Sequence, residues 1–82
     1  MIRINVLLLS TIRAIIGQKE LVLELPVDST VLDLKVEIGR LFPQSEQAVR
    51  TMLTSVDRVF SNDEKILLDQ AEVAFFPFIS GG

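Results

Sequence analysis

Apolar side chains recur at every second position in Ile2, Ile4, Val6 and Leu8, against Arg3 and Asn5, and Leu7 and Leu9 make the far half of this segment apolar on both faces. A period of two places alternate residues on opposite faces of a strand, so the chain opens with a strand suited to a sheet interior. Ser10 then stands where a helix cap is expected, with Ile12, Ile15 and Ile16 along one side of a short helix and Gly17 at a left-handed end. Alternation returns from Glu20 to Leu25, with Leu21, Leu23 and Leu25 on one face and Glu20, Val22 and Glu24 on the other, until Pro26 stops it. Thr30 followed by Asp33 has the form of a capping box, and Val31, Leu34, Ile38, Leu41 and Phe42 follow at helical spacing. This main helix must end by Pro43, because proline disfavours a helical residue before it, and Gly39 could loosen its last turn.

Beyond Pro43 the pattern weakens. Gln44 to Arg50 is polar and fits no period. Thr51 to Val56 reads as a third strand, Asp57-Arg58 as a turn and Val59-Phe60 as a short return strand. Ser61 to Glu64 is a loop, Ile66 to Leu68 supply apolar contacts before a turn at Asp69-Gln70, and Glu72 to Phe76 form the last strand. Mixed elements with one dominant helix predict an α+β fold whose sheet buries one face against that helix. A right-handed crossover through the helix would set the first and last strands side by side, parallel, at the sheet centre.

Eighty-two residues, 49% of them hydrophobic, make one domain with a modest core. The formal charge is −3 and the eight Lys and Arg are scattered, so the basic patch of a nucleic-acid binder is missing. Absence of cysteine rules out disulfides and thiolate chemistry and leaves the redox compartment open. The opening Met1-Ile2-Arg3 and its apolar run resemble a weak signal peptide, but Asn5, the short length and the lack of a small-residue cleavage site favour a strand. No segment is long enough to span a bilayer, and a cytoplasmic protein without membrane contact is expected.

Histidine, cysteine, tryptophan and tyrosine are all missing. Any reaction in the chain alone would have to use carboxylates, lysines and hydroxyls, and no serine has a histidine base. The pairs Asp28 with Asp33, Asp63 with Glu64 and Asp69 with Glu72 read as turn and helix-start acids, and Lys19, Lys35 and Lys65 as surface residues. Gly17 and Gly39 stand alone and build no phosphate loop. No metal site and no stably bound cofactor is expected.

The informative chemistry lies at the end. Gly81 and Gly82 have no side chain to pack and nothing after them to turn, so the property they share is access: they fit a channel that larger residues would block. Phe75 and Phe76 fall on opposite faces of the last strand, so at least one belongs to the core and contributes roughly 1.5–3 kcal/mol by burial. Phe78 and Ile79 either pack or, if exposed, form an apolar patch that marks a partner site. Pro77 cannot donate to a ladder, so the chain leaves the sheet there, dividing a domain over 1–76 from a tail over 77–82 with a reach of roughly 20 Å. A terminal carboxyl, with an ordinary pKa of about 3.3–3.7, is ionised at neutral pH and a poor electrophile. Acyl chemistry on Gly82 therefore needs activation by a partner, for which an acyl-adenylate formed with ATP would serve.

The run Glu72-Val73-Ala74-Phe75-Phe76-Pro77-Phe78-Ile79-Ser80-Gly81-Gly82 resembles the C-termini of the small, sulfur-carrying subunits of molybdopterin synthases, members of the ubiquitin-like sulfur-carrier family, whose pattern is close to E-V-A-F-F-P-P-V-[ST]-G-G. The opening strand and the short helix ending in Ile15-Ile16-Gly17 also look like that family. The resemblance implies a ubiquitin-like β-grasp fold and a carrier whose catalytic residues lie on a large subunit. It implies that a ubiquitin-activating-like enzyme uses ATP to adenylate Gly82, and that a sulfur donor protein supplies the sulfur that makes a terminal thiocarboxylate. That sulfur passes to cyclic pyranopterin monophosphate in molybdenum cofactor synthesis, within a complex of two small and two large subunits. Gly81 would thread the channel, and Ser80, Ile79, Phe78, Pro77 and Phe75 would meet the partner. Sulfur carriage for thiamin thiazole or tRNA thiolation, a lysine-linked protein modifier, and a binding module with frayed glycines are the alternatives. Departures from the pattern are Asp69-Gln70-Ala71, where relatives often carry Asp-Gly-Asp and a glycine turn, Phe78 in place of a second proline, and Ser80 for threonine.

Overall fold

The alternating segments pair into one five-stranded sheet in the computed structural model, which describes residues 1–78. In chain order the elements are β1 (Ile2–Leu7), α1 (Ser10–Ile16), β2 (Glu20–Leu25), α2 (Val31–Leu41), a 3-10 turn (Pro43–Ser45), α3 (Glu46–Arg50), β3 (Leu53–Val56), β4 (Val59–Ser61) and β5 (Glu72–Phe76). The sheet order is β2-β1-β5-β3-β4. β1 and β5 are parallel neighbours, with Val6 opposite Val73, and the other pairings are antiparallel. This is the ubiquitin-like β-grasp arrangement, with the last strand at the centre as its apolar sequence requires.

One face of the sheet is dry. Ile4, Val6, Val73 and Phe75 join Val31, Leu34 and Ile38 of α2 in a single hydrophobic cluster, closed by Ile12 and Ile16 of α1, Val49 and Leu67. At the start of α2 the capping box forms: Thr30 Oγ1 accepts from the Asp33 amide, and Asp33 Oδ2 accepts from the Thr30 amide. The next orphan donors are met from the 61–68 loop, since Val31 donates to the Lys65 carbonyl and Leu32 to that of Asp63. The loop between β4 and β5 is thereby strapped across the helix start.

Several local expectations change. Leu8 and Leu9 lie beyond β1, and Leu9 rather than Ser10 is the N-cap of α1; Ser10 makes no capping bond and sits at φ +54°. Gly17 ends the helix at φ +83°, as expected, but Ile15 and Leu41 are exposed at the margins of their helices. The polar 44–50 segment is helical, because Ser45 and Val49 are fully buried beneath it while its charged residues face out. Thr51 and Met52 close α3 instead of opening β3. Gly39 is no helix loosener: it is buried inside α2, and a Cβ there would lie 3.3 Å from the Cα of Glu46, so glycine sets how closely α3 approaches.

Lys35 is the largest correction. Instead of a surface lysine, it is 4% exposed, with Nζ donating to the Met52 carbonyl at 3.0 Å and paired with Asp63 at 2.9 Å. Its position on the α2 face between Val31 and Ile38 carries it under β3, and a long apolar stem lets the ammonium reach those oxygens. One side chain thus ties α2, the entry to β3 and the 61–68 loop together.

Candidate functional site

The described residues nearest the terminus follow directly from the central strand. β5 ends at Phe76, and Pro77 and Phe78 continue outside the ladder, as the missing proline N–H predicts. Phe78 is 66% exposed and Pro77 half-buried. Phe75 is fully buried, so its expected contact with a partner is corrected: it anchors the strand from the core side. Ile79, Ser80, Gly81 and Gly82 lie outside the described residues.

The other face of the sheet carries a feature that the sequence reading missed. Residues directly opposite on paired strands share a face, and one such row crosses four strands: Leu7 opposite Ala74, Ala74 opposite Ser55, and Ser55 opposite Phe60. In the next row Leu53 stands opposite Phe76. The rings of Phe60 and Phe76 meet edge to face, with centroids 5.7 Å apart, over the small Ser55. Although no helix covers this face, Ala74 and Ser55 are buried beneath the larger side chains around them. The outcome is a shallow apolar groove of about 360 Å³, with Leu7, Leu9, Phe60 and Phe76 along it and Arg58 and Glu72 as its charged members. Phe60 itself is 70% exposed. Phe60 on the short return strand Val59-Phe60 was the signal available in the sequence; the structure extends that strand to Ser61 and sets it at the sheet edge.

Two turns flank the start of β5, and of their residues only Arg58 lines the groove. Asp57 and Arg58 connect β3 to β4 with both residues at positive φ, +49° and +71°. Asp57 fixes the turn to β5, its Oδ1 accepting from the Glu72 amide at 2.9 Å. The turn at Asp69-Gln70-Ala71 survives without glycine: Gln70 adopts φ +69°, Ala71 donates to the Leu68 carbonyl, and Asp69 Oδ1 accepts from the Arg3 amide. Among the described residues no group of three or more His, Cys, Asp or Glu could hold a metal ion. Nor is any helix long and apolar enough to cross a membrane.

The ThiS family model matches residues 6–82, through the last glycine. The chain belongs to the ThiS family of ubiquitin-like sulfur carriers. It is 30% identical, over 99% of its length and 84% of the relative's, to the molybdopterin synthase sulfur carrier subunit of Arabidopsis thaliana. Among solved structures, the carrier is similar to the putative molybdopterin converting factor subunit 1 of Pyrococcus furiosus (TM-score 0.86, 21% identity, covering 96% of this chain and 100% of that one). It is also similar to the small archaeal modifier protein 1 of H. volcanii (TM-score 0.88, 15% identity, 96% and 100% covered). A complex of subunits 1 and 2 of molybdopterin-converting factor from Helicobacter pylori contains a chain of the same fold (TM-score 0.68, 12% identity, 99% and 100% covered).

Proposed function

We propose that this protein is the sulfur-carrier subunit of a molybdopterin synthase, and that the thiocarboxylate of Gly82 is the sulfur donor for the dithiolene made from cyclic pyranopterin monophosphate. The observation that carries the reading is a family match running through Gly81-Gly82 in a chain without histidine or cysteine. Activation comes from a ubiquitin-activating-like enzyme. The carboxylate attacks the α-phosphorus of ATP, pyrophosphate leaves, and a sulfur nucleophile from a donor protein then displaces AMP from the acyl-adenylate. The thiocarboxylate sulfur bonds to the pterin, water then attacks the acyl carbon and breaks its C–S bond, and the carboxylate is returned for recharging. Catalytic groups and ATP belong to the partners, and the carrier contributes the electrophilic terminus and the surface that delivers it.

Delivery has two parts. Residues 77–82 form the tail that enters the large subunit, with Gly81 passing the narrowest point and Pro77, Phe78, Ile79 and Ser80 lining its entrance. The groove between Phe60 and Phe76 seats the domain, because Phe76 belongs both to it and to the strand that launches the tail.

The test is intact mass after co-expression with the cognate activating enzyme and a sulfur source: exchange of oxygen for sulfur adds about 16 Da. Deleting Gly82 should abolish the gain and leave the melting temperature unchanged. A truncated chain that still supported dithiolene formation would end the proposal. Abundant adducts on many lysines, in place of the mass gain, would identify a modifier instead.

A further inference from the structure

Arg58 occupies a position that its backbone disfavours. The two-residue connection between β3 and β4 needs positive φ at both central residues, and such turns prefer Asn or Asp first and Gly second. Asp57 meets the first preference and also accepts from the Glu72 amide, so its conformation has a local reward. Arg58 has none: at φ +71° it suffers the clash of Cβ with its own backbone, and its guanidinium makes no hydrogen bond or ion pair among the described residues. A long side chain held in the left-handed region with no partner among the described residues points to a use outside the domain.

We infer that Arg58 is a specificity determinant that takes a carboxylate of the large synthase subunit as that subunit covers the apolar groove. The inference deepens the proposed function and rests on it. The groove fits a protein better than a nucleic acid or free phosphate: its walls are Leu7, Leu9, Phe60, Ala74 and Phe76, and Glu72 elsewhere along it disfavours polyanions. An apolar side chain can fill the centre while a carboxylate meets the planar guanidinium at the rim with two parallel N–H···O bonds. A partner that receives the tail already covers the Phe76 end of the groove, so extending the contact to the β3–β4 turn needs no separate site.

The experiment titrates the full-length carrier with purified cognate large subunit at two salt concentrations, alongside melting curves. Arg58→Gly relieves the left-handed strain and should melt higher, yet bind about three- to tenfold more weakly, the range for a rim ion pair that becomes partly desolvated. Its affinity should also fall less steeply with added salt. Arg58→Lys should retain part of the affinity, and Arg58→Glu should bind more weakly than Arg58→Gly. Gln70→Gly is the control: it relieves an equivalent strained residue that does not line the groove, so it should melt higher with affinity unchanged. Equal affinity and equal salt dependence for Arg58→Gly and the unsubstituted chain would overturn the inference while leaving the proposed function standing. An unsubstituted chain that bound no large subunit and gained no sulfur mass would sink both.

Discussion

At the residue scale the sequence hides Lys35 most completely. A lysine among apolar helical positions is ordinarily a snorkelling surface residue, and only the placement of the Met52 carbonyl and Asp63 by distant segments makes its burial tolerable. Replacing Lys35 with Met keeps most of the stem but leaves the buried Met52 carbonyl without its donor, which should cost about 1–3 kcal/mol in urea unfolding. A loss below about 0.3 kcal/mol would show that water replaces the ammonium there. A second pair is worked by pH. Arg40 donates Nε and Nη2 to the two Glu37 oxygens at 2.7 and 2.8 Å, and this hydrogen bonding holds the Glu37 carboxyl below its ordinary pKa. A carboxyl whose folded pKa is lowered stabilises the fold at neutral pH, and that contribution disappears as pH falls through the lowered value. The stability difference between the unsubstituted chain and Glu37→Gln should therefore be present near neutrality and close in acid; a pH-independent difference would refute the pairing.

Elements were legible wherever period and punctuation agreed. β2 and β5 have the bounds that alternation and a following proline set, and the Thr30–Asp33 box marks the start of α2. Thr30→Ala should lower stability by about 0.5–2 kcal/mol, measured by thermal or urea unfolding. No change would mean that the 61–68 loop carbonyls cap α2 unaided. What escaped the sequence was set by contacts between elements. The helical 44–50 segment has too few apolar residues to show a period, and its folding depends on α2 presenting Gly39 as a flat place against which Glu46 can lie. Gly39→Val gains little helix propensity and puts branched bulk where a single Cβ is already tight, so it should destabilise by about 1–3 kcal/mol. The terminal glycines, by contrast, are informative in the sequence itself, because they have no side chain to pack.

On the scale of the whole molecule, the buried face of the sheet supplies the stability, while the proposed function gives its uncovered face and the tail separate contributions to recognition. Phe75 and Phe76 are neighbours in sequence, yet one is sealed in the core and the other meets Phe60 on the open face, so a single strand serves both faces. This division predicts that the parts can be separated by competition. A chain lacking Gly81-Gly82 retains the groove and should compete with full-length carrier for the large subunit, slowing dithiolene formation although it cannot carry sulfur. Full-length Phe60→Ser should behave in the opposite way. Phe60 is mostly exposed, so stability should change by no more than about 0.5 kcal/mol, while affinity for the large subunit falls as the edge-to-face pair and its apolar contact are lost. If the truncated chain failed to compete, the tail alone would hold the complex together. If Phe60→Ser bound as tightly as the unsubstituted chain, the groove would have no part in docking, and the exposure of Phe60 beside Phe76 on the open sheet face would need another explanation.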